Sequence, residues 1–252
     1  MDNPNLASGR AVNCRDLVVS HGQVVALDRV SISVARSERV ALIGPSGAGK
    51  SSLLNVIGGL VVPDDGHVEV LDNALADLKG AKLRDHRRRI GIISQHLGLA
   101  PALRVIHSVN GGRLGSWSTT KALASLVRPG DASDVIDVLD LVGLADRAHA
   151  RTGDLSGGEQ QRVAVARTML HAPELVLADE PTSSVDPELS EQVMALLCPP
   201  NPTWAAVFSV HDPELALRHS DRIIGLSHGQ IVFDRAAVDV GDRDIDALYQ
   251  RT

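Results

Sequence analysis

One stretch, Gly44-Pro45-Ser46-Gly47-Ala48-Gly49-Lys50-Ser51-Ser52, constrains this chain more than any other. It follows Arg39-Val40-Ala41-Leu42-Ile43, apolar from its second residue, and it precedes the helix-like run Leu53-Leu54-Asn55-Val56-Ile57. Strand, glycine-rich turn and helix are the setting in which G-x-x-x-x-G-K-S forms a phosphate-binding loop. Glycines let successive backbone N–H groups point into one concavity, and the new helix adds the positive end of its dipole. Lys50 brings a mobile charge to the outer phosphates, and the Ser51 hydroxyl is a hard oxygen suited to Mg²⁺. The expectation is an α/β fold that binds a nucleoside triphosphate.

Composition narrows the class. A net charge of −6 argues against a protein dominated by contacts to a phosphate backbone, and aromatic residues at 2% leave few platforms for stacking bases. The two cysteines, Cys14 and Cys198, are far apart and fit no metal spacing, as in a reduced compartment. Met1 to Arg10 lacks the apolar stretch of a signal peptide, and no run of eighteen apolar residues occurs. Any membrane role is therefore expected to come through a partner.

Residues 12–43 read as β structure, with His21-Gly22 as a turn. Gly58-Gly59 ends the first helix, Pro63-Asp64-Asp65-Gly66 forms a turn, and His67 to Val70 returns as a strand. Lys82 to Arg89, with three consecutive arginines, reads as a solvated helix end. Ile90 to Ser94 is a buried strand ending at Gln95. From about 97 to 170 the pattern is helical: Thr119 to Pro129 forms one helix, and Val135, Val138, Leu139 and Val142 mark another, capped by Asp131 or Ser133. Leu175 to Ala178 and Val207 to Val210 suit central parallel strands. Ile223 to Leu226 and Gln230 to Phe233 suit an edge hairpin around Ser-His-Gly. The tail after Asp239 is polar and carries little signal.

Asp179-Glu180 stands directly after strand 175–178, at the carboxyl edge where open α/β sheets bind ligands. One carboxylate there can hold hydrated Mg²⁺ and the other can accept a proton from water. Glycines recur in Leu155-Ser156-Gly157-Gly158-Glu159-Gln160-Gln161-Arg162, which opens the helix Glu159 to Leu170 and makes a second anion-binding helix start.

This second motif resembles the signature of the ATP-binding-cassette (ABC) ATPases, and the likeness covers roughly residues 10 to 235. It implies a P-loop NTPase cassette: a RecA-like parallel-sheet core with an antiparallel β subdomain and an inserted α-helical subdomain. It also implies one ATP-binding domain over 1–252. Residues 10–95 and 171–235 would form the core with its β subdomain, 96–170 the helical subdomain, and 236–252 a C-terminal tail. Gly44, Pro45, Ser46, Gly47, Ala48, Gly49, Lys50, Ser51 and Ser52 match the Walker A loop. Ser156, Gly157 and Gly158 match the segment that grips the γ-phosphate bound to a second copy. Ser51, Gln95 and Asp179 match the Mg²⁺ ligands. Glu180, His211 and Gln95 match the catalytic set, and Asp186, within Ser183-Ser184-Val185-Asp186, matches the D-loop.

Two departures stand out. His21 occupies the place of the aromatic residue that stacks on adenine, which implies a smaller stacking area and a weaker or less adenine-selective grip. Pro199, Pro200 and Pro202 break the helix before the His211 strand. Within the family, Gly112 to Thr119, Asp221 to Leu226 and Gly229 to Asp234 are similar to the ATPases of phosphonate importers. The resemblance thus implies an energy-coupling ATPase for phosphonate or a related phosphorus oxyanion, peripheral at the cytoplasmic face of the cell (inner) membrane. Its partners would be a second copy in a head-to-tail ATP sandwich, integral-membrane permease subunits and, indirectly, an extracytoplasmic substrate-binding protein, with no nucleic acid. The rivals are a lipoprotein-release-type exporter, another importer, a soluble cassette acting on nucleic acid or ribosomes, and a non-catalytic scaffold.

Overall fold

Arg10–His21 (β1) and Val24–Ala35 (β2) form a long antiparallel pair that starts a four-stranded sheet, extended by Asp65–Val70 (β4) and Asn73–Ala74 (β5) in the order β2-β1-β4-β5. Structure is described from a computed structural model for residues 9–94, 97–116, 132–183, 185–200 and 202–250. A second sheet of six strands uses Arg39–Ile43 (β3), Ile90–Ile93 (β6), Leu175–Asp179 (β7), Ala205–Ser209 (β8), Arg222–Ser227 (β9) and Gln230–Ala236 (β10). Its order is β10-β9-β3-β8-β7-β6; every pairing is parallel except that of β10, which runs antiparallel at one edge. The expected edge hairpin is thus half interior: β9 pairs with β3, and only β10 is an edge.

The unbroken apolar runs in this sheet have a simple cause: both faces are covered. Ala41 and Ile43 of β3 join one hydrophobic cluster, with Val176, Ala178, Ala206 and Phe208. Val40 and Leu42 join the other, with Leu175, Leu177, Ala205 and Val207. The first cluster includes the helices after residue 104; the second includes Lys50–Ile57 (α1) and the antiparallel sheet. A polar alternation would have placed charges in one of these cores.

Between β6 and β7 lie Val105–Asn110 (α3), Ala132–Leu141 (α4) and Gly157–His171 (α5), joined through Val105, Val109, Val135, Leu139, Val163 and Ala166. Val142 is buried with them, just beyond the end of α4. Because α4 begins at Ala132, Ser133 lies inside its first turn and is not its cap. Asp131, the helix expected over Thr119 to Pro129, and Gln95 lie outside the described residues. The β6 strand itself ends at Ile93.

The basic segment forms Gly80–Arg87 (α2), with Arg84, Arg87 and Arg88 exposed as expected of a solvated helix end, and the three consecutive arginines also make bonds within the chain. Arg87 donates to Gly59 O at 2.8 Å, Arg88 pairs with Asp85, and Arg89 grips Glu174 at 2.5 and 2.9 Å. Arg89, helped by Arg36, holds the Glu174 carboxyl at about 2. Both cysteines are free and buried, and burial pushes their thiols up to about 12.

Pro187–Leu197 (α6) ends at Cys198, ahead of the prolines, and Pro213–His219 (α7) follows β8. The polar tail does form structure, contrary to the weak signal after Asp239. Asp242–Tyr249 (α8) buries Leu248 and packs Tyr249 against the first cluster. Its apolar face is too narrow, at two or three residues, to stand out from a charged background. No helix among the described residues is long and apolar enough to cross a membrane.

Candidate functional site

The phosphate loop leaves β3 after Ile43 and enters α1 at Lys50. Its last glycine, Gly49, has φ +104, and a Cβ there would collide with Ala26 O, so no other residue fits. Gly229 N–H donates to Ala48 O at 3.1 Å, which ties the β9–β10 turn to the loop. α1 has no side-chain cap and no acid in its first turn. Its leading N–H groups and dipole end are therefore suited to anionic oxygens.

Lys50 is buried, 5% exposed, and folds back across its own loop, donating to Gly44 O at 2.7 Å and Pro45 O at 3.0 Å. Burial lowers its pKa, while the charges of Glu180 and Asp179 raise it. The acidic pair and the lysine therefore share one electrostatic neighbourhood at the same end of the sheet. Pro45, Ser46 and Gly47 are half-buried to exposed, as is Ser51 on the first turn. His21, at the end of β1, brings Nε2 to 3.2 Å from Ser52 Oγ, so the imidazole stands at the margin of the loop.

Asp179 closes β7, and Glu180 follows at φ +51, an uncommon conformation for a residue with a side chain. The Ser209 hydroxyl donates to Asp179 Oδ1 at 2.7 Å and accepts the Glu180 N–H at 2.9 Å. His211 Nε2 lies 2.6 Å from Glu180 Oε1. A cavity of about 470 Å³ opens beside this pair, lined by Ser183, Val185, Asp212 and Arg218 among others. A carboxylate and an imidazole in contact at the mouth of a cavity can move a proton.

The second glycine motif is built differently. Ser156 caps α5: its Oγ accepts the Glu159 N–H at 3.3 Å, and Glu159 Oε2 accepts the Ser156 N–H at 2.8 Å. Ser156 and Gly157 face solvent, and Gly158 packs on Val185 and Leu189. Among the described residues, no hydrogen bond joins Ser156, Gly157 or Gly158 to the phosphate loop. Asp186 caps α6, accepting the Leu189 N–H at 3.0 Å, and is exposed. Ser184 and Gln95 lie outside the described residues.

Two further residues join these parts. Gln161, on α5, donates through Nε2 to Pro181 O and so ties the signature helix to the turn after Glu180. Ser209 binds both acidic residues. The available signal for Ser209 was a hydroxyl interrupting Val207-Phe208-Ser209-Val210 two places before His211; Gln161 offered none beyond its motif. Tyr249, the one tyrosine, has its pKa raised by burial, with the Gly44 backbone and Asp212 as polar neighbours.

Comparison with known proteins agrees with this arrangement. A family model described as ABC transporter matches residues 27–183. The phosphonates import ATP-binding protein PhnC of Pseudomonas putida KT2440 is 42% identical over 245 residues, covering 96% of this chain and 91% of the relative. PhnC 2 of Pseudomonas aeruginosa UCBPP-PA14 is 44% identical over 239 residues, covering 93% and 88%. Among solved structures, a dimeric post-hydrolysis state of the ATP-binding cassette MJ0796, bound to ADP and Pi, superposes with a TM-score of 0.77. It is 30% identical, over 90% of this chain and 98% of that one.

Proposed function

The chain belongs to the ABC transporter family of ATPases, and from that premise we propose that it is the energy-coupling subunit of a phosphonate importer. The observation that carries the chemistry is the single edge of the six-stranded sheet holding Lys50, Asp179, Glu180 and His211. The cargo rests on the relatives' names, because no residue of an ATP-binding subunit need touch what is carried.

The geometry supports the following site assignment. The backbone from Gly44 to Ser52 and the Lys50 ammonium receive the phosphates, with Lys50 exchanging its two carbonyl partners for phosphate oxygens. His21 contacts the base, with less area than a larger ring would offer. Ser51 and Asp179 are hard oxygen donors at one edge and fit Mg²⁺, which would neutralise phosphate charge when bound. Gln95 is assigned with them from the sequence. Glu180 takes a proton from the attacking water as the new P–O bond forms and the bond to the ADP oxygen breaks. His211, in contact with Glu180, bonds the γ-phosphate.

Ser156 and Gly157 are solvent-facing, and Ser156 is bonded within its own helix, which suits this segment, with Gly158, to the triphosphate on a second copy, with Asp186 at the same interface. Residues 10–95 and 171–235 act as the nucleotide-binding unit, and 96–170 transmits closure to the permease at the cytoplasmic face of the membrane. Residues 236–252 are assigned to the tail. A substrate-binding protein outside the membrane completes the system. ATP works here by binding one arrangement of the pair better than the other.

Glu180→Gln tests the scheme. It should bind ATP, lose at least about 100-fold in hydrolysis and elute as an ATP-dependent dimer in gel filtration. A monomer at saturating ATP contradicts the shared site. Co-purification from membranes, followed by identification of the bound subunits and phosphonate uptake, tests the cargo.

A further inference from the structure

Ser209 is fully buried between the two strands that carry the chemistry. In β8 it is in register with Leu42 of β3 on one side and Asp179 of β7 on the other. The four residues before it, Ala205 to Phe208, are apolar and buried, so an apolar residue at 209 would serve the packing as well. The hydroxyl must be explained by what it holds.

A serine hydroxyl has one proton to give and two lone pairs. Here the proton goes to Asp179 Oδ1, and a lone pair receives the Glu180 N–H. Each bond restrains a different freedom. The first fixes the rotation of the Asp179 carboxylate and occupies Oδ1, leaving Oδ2 for a cation. The second holds the amide of Glu180, whose φ of +51 persists only where the surroundings impose it. From that backbone the Glu180 side chain reaches His211, two residues beyond Ser209 itself.

We propose that Ser209 is a positioning residue for ATP hydrolysis, setting through one hydroxyl both the Asp179 carboxylate and the backbone that aims Glu180. The assignment rests on the site described above. It separates two functions of that site. Loss of the hydroxyl weakens divalent-cation binding and slows the chemical step. It leaves phosphate binding alone, because Lys50 makes its bonds to Gly44 O and Pro45 O and none to Ser209.

The test uses the full chain and three titrations on Ser209→Ala. A fluorescent ATP analogue in EDTA reads nucleotide binding without cation. Electron paramagnetic resonance of Mn²⁺, with a non-hydrolysable ATP analogue bound, reads cation affinity. Phosphate release reads turnover. Mn²⁺ affinity and kcat are each expected to fall about tenfold, as when an outer partner of a metal ligand is removed, while binding in EDTA stays within about twofold. Ser209→Thr, which keeps the hydroxyl, should restore Mn²⁺ affinity.

Wild-type Mn²⁺ affinity and kcat in Ser209→Ala would overturn the assignment. So would a parallel loss of EDTA binding and melting temperature, or a Thr variant no better than the Ala one. Lys50→Ala separates the two levels. Unimpaired nucleotide binding in that variant removes the site assignment, whereas a damaged Lys50→Ala beside a silent Ser209→Ala removes only the role of Ser209.

Discussion

The two glycine-built helix starts, at α1 and at α5, have opposite local chemistry. α1 begins at a left-handed glycine, has no side-chain cap and holds a lysine folded over its own carbonyls. α5 begins at a serine in extended conformation, and Ser156 and Glu159 satisfy each other's N–H groups. A helix start whose donors are uncommitted is prepared for phosphate. One that carries its own capping box is stable alone and gives up little to face a second molecule. The difference teaches that one motif needs its ligand to complete its bonding, whereas the other is complete before any partner arrives.

The contrast can be broken most directly at Lys50. Lys50→Ala should lower ATP hydrolysis by about 100-fold or more, measured as phosphate release, since it removes the charge proposed to meet the outer phosphates. Next in size is Gly49→Ala, which meets Ala26 O and a φ of +104 and should cost about 1–3 kcal/mol, read as a lower midpoint in urea. Ser156→Ala removes a cap and should cost about 1 kcal/mol by the same measurement. Gly158→Ala tests whether the second motif uses its glycine differently. A Cβ there would sit 3.1 Å from Val185 Cγ1 and 3.2 Å from Leu189 Cδ2, side-chain ends that can shift. Its cost should stay below about 1 kcal/mol, well under that of Gly49→Ala.

The smallest effect is a pH dependence confined to α5. The Ser156 backbone N–H, then its side chain, hold the Glu159 carboxyl below its ordinary value of 4.5. Its folded-state value is depressed, so its contribution is present above about 4.5 and is lost as pH falls through the lower folded value. The melting temperature of wild-type protein should exceed that of Glu159→Gln slightly at pH 7, and the gap should close as pH is lowered through the depressed folded-state value. An unchanged gap would mean that the cap owes nothing to charge. No acid stands in the first turn of α1 to give a similar effect.

Much of the molecule is written in local pattern. Val40 to Ile43, Leu175 to Ala178 and Val207 to Val210 are runs too short for helices and too apolar for one-sided strands, and they became interior strands covered on both faces. The phosphate loop, the acidic pair and the capped α5 could be placed because each depends on neighbours a few residues away. What failed was weakly periodic or depended on distant contacts. α8 could not be distinguished from a polar tail, since its stability comes from Leu248 and Tyr249 meeting a core assembled elsewhere.

Sequence alone marked a glycine turn and two carboxylates as the place to expect a triphosphate, because backbone freedom, helix dipole and charge are properties of adjacent residues. Only the tertiary structure decided how those groups are aimed. Ser209 reaches Asp179 and Glu180 across a parallel strand pair, Gln161 reaches Pro181 from another helix, and Lys50 is buried beneath the loop it serves. The bonds of Ser209 and Gln161 join residues 20 to 30 positions apart, and only strand register and helix packing bring them within reach.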